Sequence, residues 1–345
     1  MDNNINSPRV TVLLPVFNGE NYLREAIESI LAQTFHDFEF LIINDGSTDK
    51  SVEIIRSYAD PRIRLVVNEQ NLGLIATLNK GVDLSRGEYI ARMDQDDISL
   101  HQRLEKQISF LDKNRNVGVL GTWVRTFGSV AETVWDYPGD PETIKCRFLF
   151  ESVLAHPSTM LRKKMLNDHN LYYSNDHVNA EDYEMWVRCS RYADISNLQE
   201  VLLLYRFHEE KIGSKRLKEQ QATTKKIRRE QLNRLLLSPT ADDLIMHDAI
   251  SKWEFKADKD YIEKVHQWLC KVQSANSRTS VYSEPAFSRV LAQRWFAFCN
   301  EATVLGFWIW KTYWRSPFSK DFDLDLERKI RFGLETAVHR RKTNG

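Results

Sequence analysis

The stretch "YIARMDQDDISL", residues 89–100, decides how the first half of the chain is interpreted. Its apolar part, Tyr89 to Met93, has the pattern of a buried strand, and Asp94, Asp96 and Asp97 follow directly. At an effective dielectric constant near 20, two like charges about 4 Å apart repel by roughly 4 kcal/mol. Three carboxylates at one strand end therefore predict a cation beside them.

Similar apolar runs precede this stretch and alternate with helical patterns. Strands are predicted at 9–16, 38–45 and 62–68, and a helix follows each of them. Near-continuous apolar strands between helices indicate an α/β fold, with a mostly parallel sheet and helices on both faces. Ligands bind at the carboxyl ends of the strands in such sheets. Polar residues stand at three of these ends: Asn18, Asp45 and Asp94.

Composition limits the function classes. Lys+Arg and Asp+Glu both number 48, and a chain without a basic excess is a poor candidate for nucleic-acid binding. The four cysteines form no C-x-x-C pair, which predicts free thiols in a reducing compartment. The N-terminus has no signal-peptide pattern and no apolar run reaches about 18 residues, which predicts a cytoplasmic protein without a spanning helix.

The aspartate cluster has a metal interpretation and a structural one. Clustered oxygen ligands suit Mg²⁺ or Mn²⁺ carrying substrate phosphates. Alternatively, Asp97 and Ser99 cap the helix predicted at "LHQRLEKQISFL". Capping explains one carboxylate and leaves Asp94 and Asp96 unexplained, so the metal interpretation is favoured.

Three further positions are candidates for chemistry, and each has a structural alternative. Asp45, in "NDGSTD", either forms an Asp-Gly turn or accepts a hydrogen bond from a nucleobase. Glu181 and Asp182 open an amphipathic helix, where they either complement the helix dipole or include a general base. His208 ends a strand predicted at 200–208, as Asp94 ends its own. Neither a G-x-G-x-x-G after the first strand nor a P-loop motif occurs, which disfavours those nucleotide folds.

Several segments together resemble the family 2 glycosyltransferases of the GT-A fold: "PVFNGENYLREAIESILAQTF", "FLIINDGSTD", "NLGLIATLNKG", "GEYIARMDQDD", "AEDYEMW" and "YRFH". The resemblance covers about residues 8–210. It is greatest to bacterial enzymes of lipopolysaccharide, O-antigen or capsule synthesis, many of them β-1,3-glucosyl- or N-acetylglucosaminyltransferases. It implies a catalytic GT-A domain at 1–214, with a nucleotide-binding part at about 8–115 and an acceptor part at about 116–214. A helical C-terminal domain is predicted at 215–345, and loops around 122–160 and 170–180 are expected to carry specificity.

The resemblance also implies a role for each matching residue. Asp182, with Glu181 beside it, would supply the catalytic base of an inverting single displacement. Asp96 and Asp97, together with His208, would hold Mn²⁺ or Mg²⁺. The residues implied in binding the UDP-sugar are Pro15, Phe17, Asn18, Glu20, Asp45, Asn71, Asp94 and Gln95.

The implied reaction moves one sugar from UDP-Glc, UDP-GlcNAc or UDP-Gal to a saccharide or lipid-diphosphate-linked saccharide, forming a β-linkage. The Q-x-x-R-W motif of processive relatives is absent from the matching region, which favours single transfers. His101 stands where many relatives have proline, a difference that alters the helix start. Two alternatives are a sugar nucleotidyltransferase, for which "PVFNGENY" lacks a glycine-rich basic loop, and a non-catalytic sugar-binding protein.

The segment "RWFAFCNEATVLGFWIWKTYWR", residues 294–315, concentrates aromatic side chains near Lys311 and Arg315. This composition suits a membrane interface, and an ordinary core helix is the alternative. The prediction is that the segment docks the protein peripherally on the inner face of the cell membrane.

Overall fold

The computed structural model describes residues 7–208, 214–322 and 325–342. The chain divides into two compact units, the first formed by Met1–Ile144 and Ser152–Thr224 and the second by Lys145–Glu151 and Lys225–Gly345. The sequence pattern placed one boundary near residue 214. The short segment 145–151 belongs to the helical unit, which no local sequence pattern predicts.

Nine strands of the described residues form one sheet in the first unit. They are β1 (Val10–Val16), β2 (Phe38–Asn44), β3 (Ile63–Val67), β4 (Tyr89–Arg92), β5 (Ile98–Ser99), β6 (Val117–Gly128), β7 (Val134–Trp135), β8 (Met160–Arg162) and β9 (Asp194–Phe207). The strand order is β3-β2-β1-β4-β8-β6-β9-β5, and β7 pairs with β6. Every residue of β1 and β2 is buried, because both faces of the sheet are covered at these strands.

Helices connect the strands of this unit. They are α1 (Leu23–Leu31), α2 (Ser51–Arg56), α3 (Leu74–Leu84), α4 (Arg103–Lys113), α5 (Pro141–Arg147), α6 (Lys163–Asp168), α7 (Glu181–Cys189) and the start of α8 (Ser214–Arg234). In α1, Leu23, Ala26, Ile27 and Ile30 form one buried stripe along the helix. The predicted α/β class is confirmed.

Strand direction determines where the site forms. β1 pairs in parallel with β2 and β4, and β2 with β3, so the carboxyl ends of these four strands share one edge. β5 runs antiparallel to β9, with Ile98 opposite Leu204. This pairing brings the loop at 94–97 beside the end of β9. The segment 117–128 is one continuous strand parallel to β9.

The second unit is helical, as predicted. It contains most of α8 and then α9 (Ala241–Ser251), α10 (Lys259–Thr279), α11 (Ala286–Glu301), α12 (Phe307–Arg315) and α13 (Leu326–Lys342). Leu149 and Phe150 lie in its core with Trp268 and Trp295. Arg228 of α8 donates to the Phe150 carbonyl at 2.7 Å, which ties segment 145–151 to the helices.

Residues 294–315, predicted to dock on a membrane, form two helices rather than one. α11 ends at Glu301, and a 3-10 turn at Thr303–Leu305 precedes α12. Trp295 and Tyr313 are fully buried because they pack in the helical core, whereas Trp310 and Trp314 are exposed. In the part of the chain that the structure describes, every helix is too short or too polar to cross a membrane.

Candidate active site

A cleft of about 840 Å³ opens at the edge where the parallel strands end. It lies within the first unit. Eleven of the predicted site residues line it: Pro15, Phe17, Asn18, Asp45, Asn71, Asp94, Gln95, Asp96, Glu181, Asp182 and His208. Residues that are far apart in the sequence therefore meet in one depression.

The loops after β1 and β2 are joined by side-chain hydrogen bonds. The Asn18 Oδ1 atom accepts from the Thr48 amide at 2.9 Å, and the Glu20 carboxylate accepts from the Lys50 amide at 3.0 Å. Asn18 has a positive φ of 48°, a conformation that asparagine tolerates better than most residues. Glu20 does not line the cleft, in contrast to its predicted role, because its carboxylate is directed at the neighbouring loop.

Gln95 connects the acidic loop to the loop after β1. Its side-chain amide accepts from the Phe17 amide at 2.9 Å and donates to the Phe17 carbonyl at 3.1 Å. A Cβ atom at Gly19 would lie 2.7 Å from the Gln95 side chain, so a larger residue there would displace the Gln95 amide. The two loops are thereby held in register at the mouth of the cleft.

Asp45 organises the loop after β3. Its buried carboxylate accepts from Asn68 Nδ2 at 2.7 Å and from the amides of Leu72 and Gly73 at 2.9 Å each. Gly46 follows with φ 70°, and a Cβ there would lie 2.6 Å from the Gln70 backbone. The chain bends at Gly46, directly after Asp45, and Asp45 lines the cleft.

We expect Asp45→Ala to lower the free energy of unfolding by on the order of 3 kcal/mol, because hydrogen bonds to charged groups contribute about 1.5–3 kcal/mol each. Thermal denaturation measures this loss. Asn71→Ala is the matched control, since Asn71 accepts from the Gly73 amide inside the same loop. An Asp45→Ala melting temperature equal to that of the control would contradict the organising role.

Asp94 and Asp96 of the acidic cluster line the cleft, whereas Asp97 is fully buried beside them and does not line it. Asp94, Asp96 and Asp97 can each direct one oxygen so that the three atoms lie within 4.8 Å of one another. Asp94 accepts from Arg92 Nη1 at 2.5 Å, and His208 Nε2 lies 2.9 Å from Asp96 Oδ2. The cluster thus contains carboxylates, an imidazole and one adjacent guanidinium.

Asp97 does not cap the following helix. α4 begins at Arg103, and its N-cap residue is Gln102, which makes no capping hydrogen bond through its side chain. Instead, Asp97 Oδ1 accepts from the Arg206 amide at 2.9 Å, and Arg206 Nε donates to the Asp96 carbonyl at 2.7 Å. The acidic loop is therefore fastened to β9, and the capping alternative is wrong.

The cluster fits a divalent cation. Three carboxylates whose oxygens lie within 4.8 Å of one another repel unless a cation compensates them, and hard oxygen ligands suit Mg²⁺ and Mn²⁺. His208, at the end of β9, adds the nitrogen donor that Mn²⁺ accepts. Asp94, Asp96, Asp97 and His208 are the residues of this cleft that would hold the ion.

Asp182 and Glu181 lie in the first turn of α7. The N-cap is Ala180, so neither carboxylate caps the helix, although Asp182 Oδ1 accepts from the Tyr183 amide at 2.7 Å. Burial raises the pKa of the Asp182 carboxyl, and the nearby Arg92 opposes this increase only in part. A carboxylate with a raised pKa at a cleft wall is suited to accepting a proton.

The sequence analysis missed Arg92 and His156. Arg92 is buried and contacts Asp94. Burial lowers the pKa of the Arg92 guanidinium, but the charge of Asp94 outweighs burial and raises the pKa overall, so Arg92 stays cationic. His156 Nε2 lies 2.9 Å from the Tyr173 hydroxyl, and burial together with Arg92 keeps its pKa well below the usual range, so the ring is neutral. One charged residue inside the apolar run 89–93 was the available signal for Arg92.

Comparison with known proteins identifies the family of this chain. Residues 11–169 match the family model described as Glycosyl transferase family 2. An uncharacterized glycosyltransferase of Haemophilus influenzae is 34% identical over 239 residues, which are 66% of this chain and 74% of the relative. Another, of Methanocaldococcus jannaschii, is 36% identical over 224 residues, 63% of this chain and 77% of the relative. The chain belongs to glycosyl transferase family 2.

Solved structures show the same fold. The crystal structure of S. aureus TarS 1–349 in complex with UDP-GlcNAc has a TM-score of 0.57 at 16% identity, covering 89% of this chain and 92% of that chain. The complex of the same protein with UDP has a TM-score of 0.56 at 17% identity, covering 86% and 91%. The predicted GT-A fold followed by a helical region is thereby confirmed.

Proposed function

We propose that this glycosyltransferase moves a single hexose from a UDP-sugar to a saccharide acceptor, with inversion at the anomeric carbon, in the synthesis of a cell-surface polysaccharide. The observation that carries the proposal is one cleft that joins the acidic cluster of β4 to Asp182 of α7. The first unit contains this whole cleft, so catalysis is assigned to it.

The donor half of the cleft consists of the strand ends and their loops. Asp45 and the loop at 71–73 lie on the side where a nucleobase would be held, and Asp94 and Asp96 lie where the diphosphate would be held. A divalent ion bound there would supply positive charge to the departing UDP. TarS, which shares the fold, binds UDP-GlcNAc, and this supports a UDP-sugar as donor.

The acceptor half contains the base. In its carboxylate form, Asp182 takes the proton of the acceptor hydroxyl while that oxygen attacks the anomeric carbon opposite the UDP. The bond to UDP breaks as the new glycosidic bond forms, so an α-linked donor gives a β-linked product. Arg92 stays charged and keeps the Asp94 carboxylate oriented, while Glu181 adds negative charge beside the base.

A donor screen tests the proposal. UDP release is measured with UDP-Glc, UDP-GlcNAc and UDP-Gal, each with Mn²⁺, with Mg²⁺ and with a chelator. We expect one UDP-sugar to be cleaved faster than the others, and only when a divalent ion is present. Release of pyrophosphate from a nucleoside triphosphate and a sugar phosphate would instead indicate a nucleotidyltransferase, and no release at all would indicate a binding protein.

The second unit presents an apolar face that suits a membrane surface. Its members are Phe307, Trp310 and Trp314 on α12 and Leu326, Ile330, Leu334 and Val338 on α13. The α13 residues recur every four positions, so they form one stripe, while Phe332 packs on Tyr313 from the other side of the helix.

Lys and Arg outnumber Asp and Glu in 307–342, which favours an anionic lipid surface as the occupant. Docking there would place the enzyme on the inner face of the membrane, near lipid-diphosphate-linked acceptors.

We expect the protein to co-sediment with vesicles of phosphatidylcholine and phosphatidylglycerol, and Trp310→Glu with Trp314→Glu to remove this binding without lowering the melting temperature. The reason is that both rings are exposed, at 37% and 39%. Ile245→Glu, at an exposed position of α9, is the matched control. Docking is contradicted if the parent protein stays in the supernatant. If the parent instead self-associates and the double variant does not, a second copy of the chain covers this face.

A further inference from the structure

Part of the cleft is lined by an aromatic wall, defined here as Trp135, Tyr205 and Phe207. All three side chains are half-buried and line the same cleft as Asp182. Trp135 belongs to β7, and the other two belong to β9, two positions apart and so on one face of the strand. None of the three was a predicted site residue.

The wall is rigid. The ring centroids of Trp135 and Tyr205 are 5.1 Å apart, and the Trp135 ring meets Phe207 edge-on at 6.0 Å with an interplanar angle of 87°. Trp135 sits opposite Val124 on β6, whose parallel partner is β9, so two strand pairings fix the position of the indole. Trp135 and Tyr205 pack against the core on one side and border the cleft on the other.

Charge determines what can lie against this wall. Among the lining residues that the structure describes, Arg92 is the sole Lys or Arg, and Asp94 already pairs with it. The carboxylates of Glu181 and Asp182, which are not among the proposed metal ligands, line the same cleft. A phosphate or carboxylate on the acceptor would be repelled here, whereas a neutral ring would not.

We infer that the aromatic wall binds the acceptor as a neutral pyranose, through stacking of the sugar's C–H face on Trp135. A β-gluco or β-galacto pyranoside directs its axial C–H groups at C1, C3 and C5 to one face, and an aromatic ring offers a matching flat, apolar surface with a negative π face. The hydroxyl groups at the ring edge stay available to Asp182. This inference rests on the proposed function and adds the class of acceptor.

Two variants of similar bulk separate stacking from packing. Trp135→Phe keeps an aromatic ring, and Trp135→Leu keeps an apolar side chain without one. We expect Trp135→Leu to lower kcat/KM for a pyranoside acceptor on the order of tenfold, given that aromatic contacts contribute about 0.5–1.5 kcal/mol beyond area burial, and Trp135→Phe to retain most of it. Tyr192→Ala is the control, because Tyr192 is an exposed ring of the same unit that stacks on His169 away from the cleft lining.

The binding probes are the methyl β-pyranosides of glucose, galactose and N-acetylglucosamine, with ribitol 5-phosphate as an anionic polyol. We expect saturation-transfer NMR to show the strongest signals at H1, H3 and H5 of at least one pyranoside, and Trp135→Leu to remove them. The inference is overturned if no pyranoside gives this pattern, if Trp135→Leu leaves it unchanged, or if ribitol 5-phosphate binds in preference.

Donor cleavage distinguishes this inference from the proposed function. UDP release from a UDP-sugar without acceptor reports donor cleavage alone, and it is measured in the parent. Its absence from the parent means that the proposed function fails. Its presence, together with unaltered pyranoside binding in Trp135→Leu, means that only the inference about the wall fails. If Trp135→Leu melts early, Phe207→Leu replaces it in the same comparison.

Discussion

Asp182→Asn is expected to reduce sugar transfer by about 10²-fold or more, the scale of a general base, while the protein folds and binds UDP as before. The amide has the size of the carboxylate and cannot take a proton. Burial raises the pKa of Asp182, which means that the folded state bears a cost for its charged form, so an amide there should leave the melting temperature unchanged or higher. Single-turnover transfer and UDP calorimetry measure the two halves of this expectation.

The pH profile of the parent gives a second test of the same residue. The base works when deprotonated, so transfer should fall as pH falls through the raised pKa of Asp182, and the acidic limb should lie above the ordinary aspartate value of 3.8. Arg92 and Asp94 are the charged groups that act on this carboxyl, with opposite signs. A profile that stays flat down to ordinary aspartate values would contradict the raised pKa.

Glu181→Gln is the control for Asp182. Glu181 shares the helix turn and the cleft, so its loss should change transfer much less. If both carboxylates only complement the helix dipole, the two variants should behave alike, because the first turn of a helix favours either one by a few tenths to about 1 kcal/mol. Near-normal turnover in Asp182→Asn with a large loss in Glu181→Gln would move the base to Glu181.

Asp96→Ala is expected to remove nearly all transfer and to abolish the Mn²⁺ dependence of UDP binding. Asp96 lies at the centre of the acidic cluster, within hydrogen-bonding distance of His208. Without its carboxylate the remaining ligands hold a divalent ion weakly, and the diphosphate charge is poorly compensated. Calorimetric titration of UDP with and without Mn²⁺ measures the effect directly.

Asp168→Ala controls for a general change in charge, since this carboxylate pairs with Lys164 on the surface of α6. It should bind UDP with the parent's metal dependence. An Asp96→Ala protein that keeps that dependence would show that the cluster does not hold the ion. His208→Ala should give an intermediate loss, because the imidazole is one donor among four.

The strand ends could be predicted because the edge of a parallel sheet follows from local patterns. Four apolar runs with helices between them specify which ends lie together, and polar residues at those ends specify the site. The antiparallel partners β8 and β5 are two or three residues long, too short for a periodic pattern. The approach of His208 to Asp96, 112 positions apart, depends on the pairing of β5 with β9 and could be anticipated only through the family resemblance.

The remaining features depend on packing that sequence patterns do not encode. Nothing in "TVWDYPGD" distinguishes a cleft-facing Trp135 from a core tryptophan, because a two-residue strand has no measurable alternation. The tail shows the opposite error: the density of aromatics in 294–315 was visible, but the break at Gly306 that buries Tyr313 and exposes Trp310 was not. The backbone conformation at this break determines which of the aromatic rings in 294–315 reach solvent.

The central claim is that one cleft carries out an inverting transfer with Asp182 as its base. The most direct test is proton NMR of the product formed from the preferred UDP-sugar and a pyranoside acceptor, recorded from the start of the reaction. The account predicts that the first product signal is a β-anomeric proton with a large coupling to H2, and that Asp182→Asn produces no such signal on the same time scale. An α-anomeric product, or a β-product formed equally fast by the variant, would contradict it.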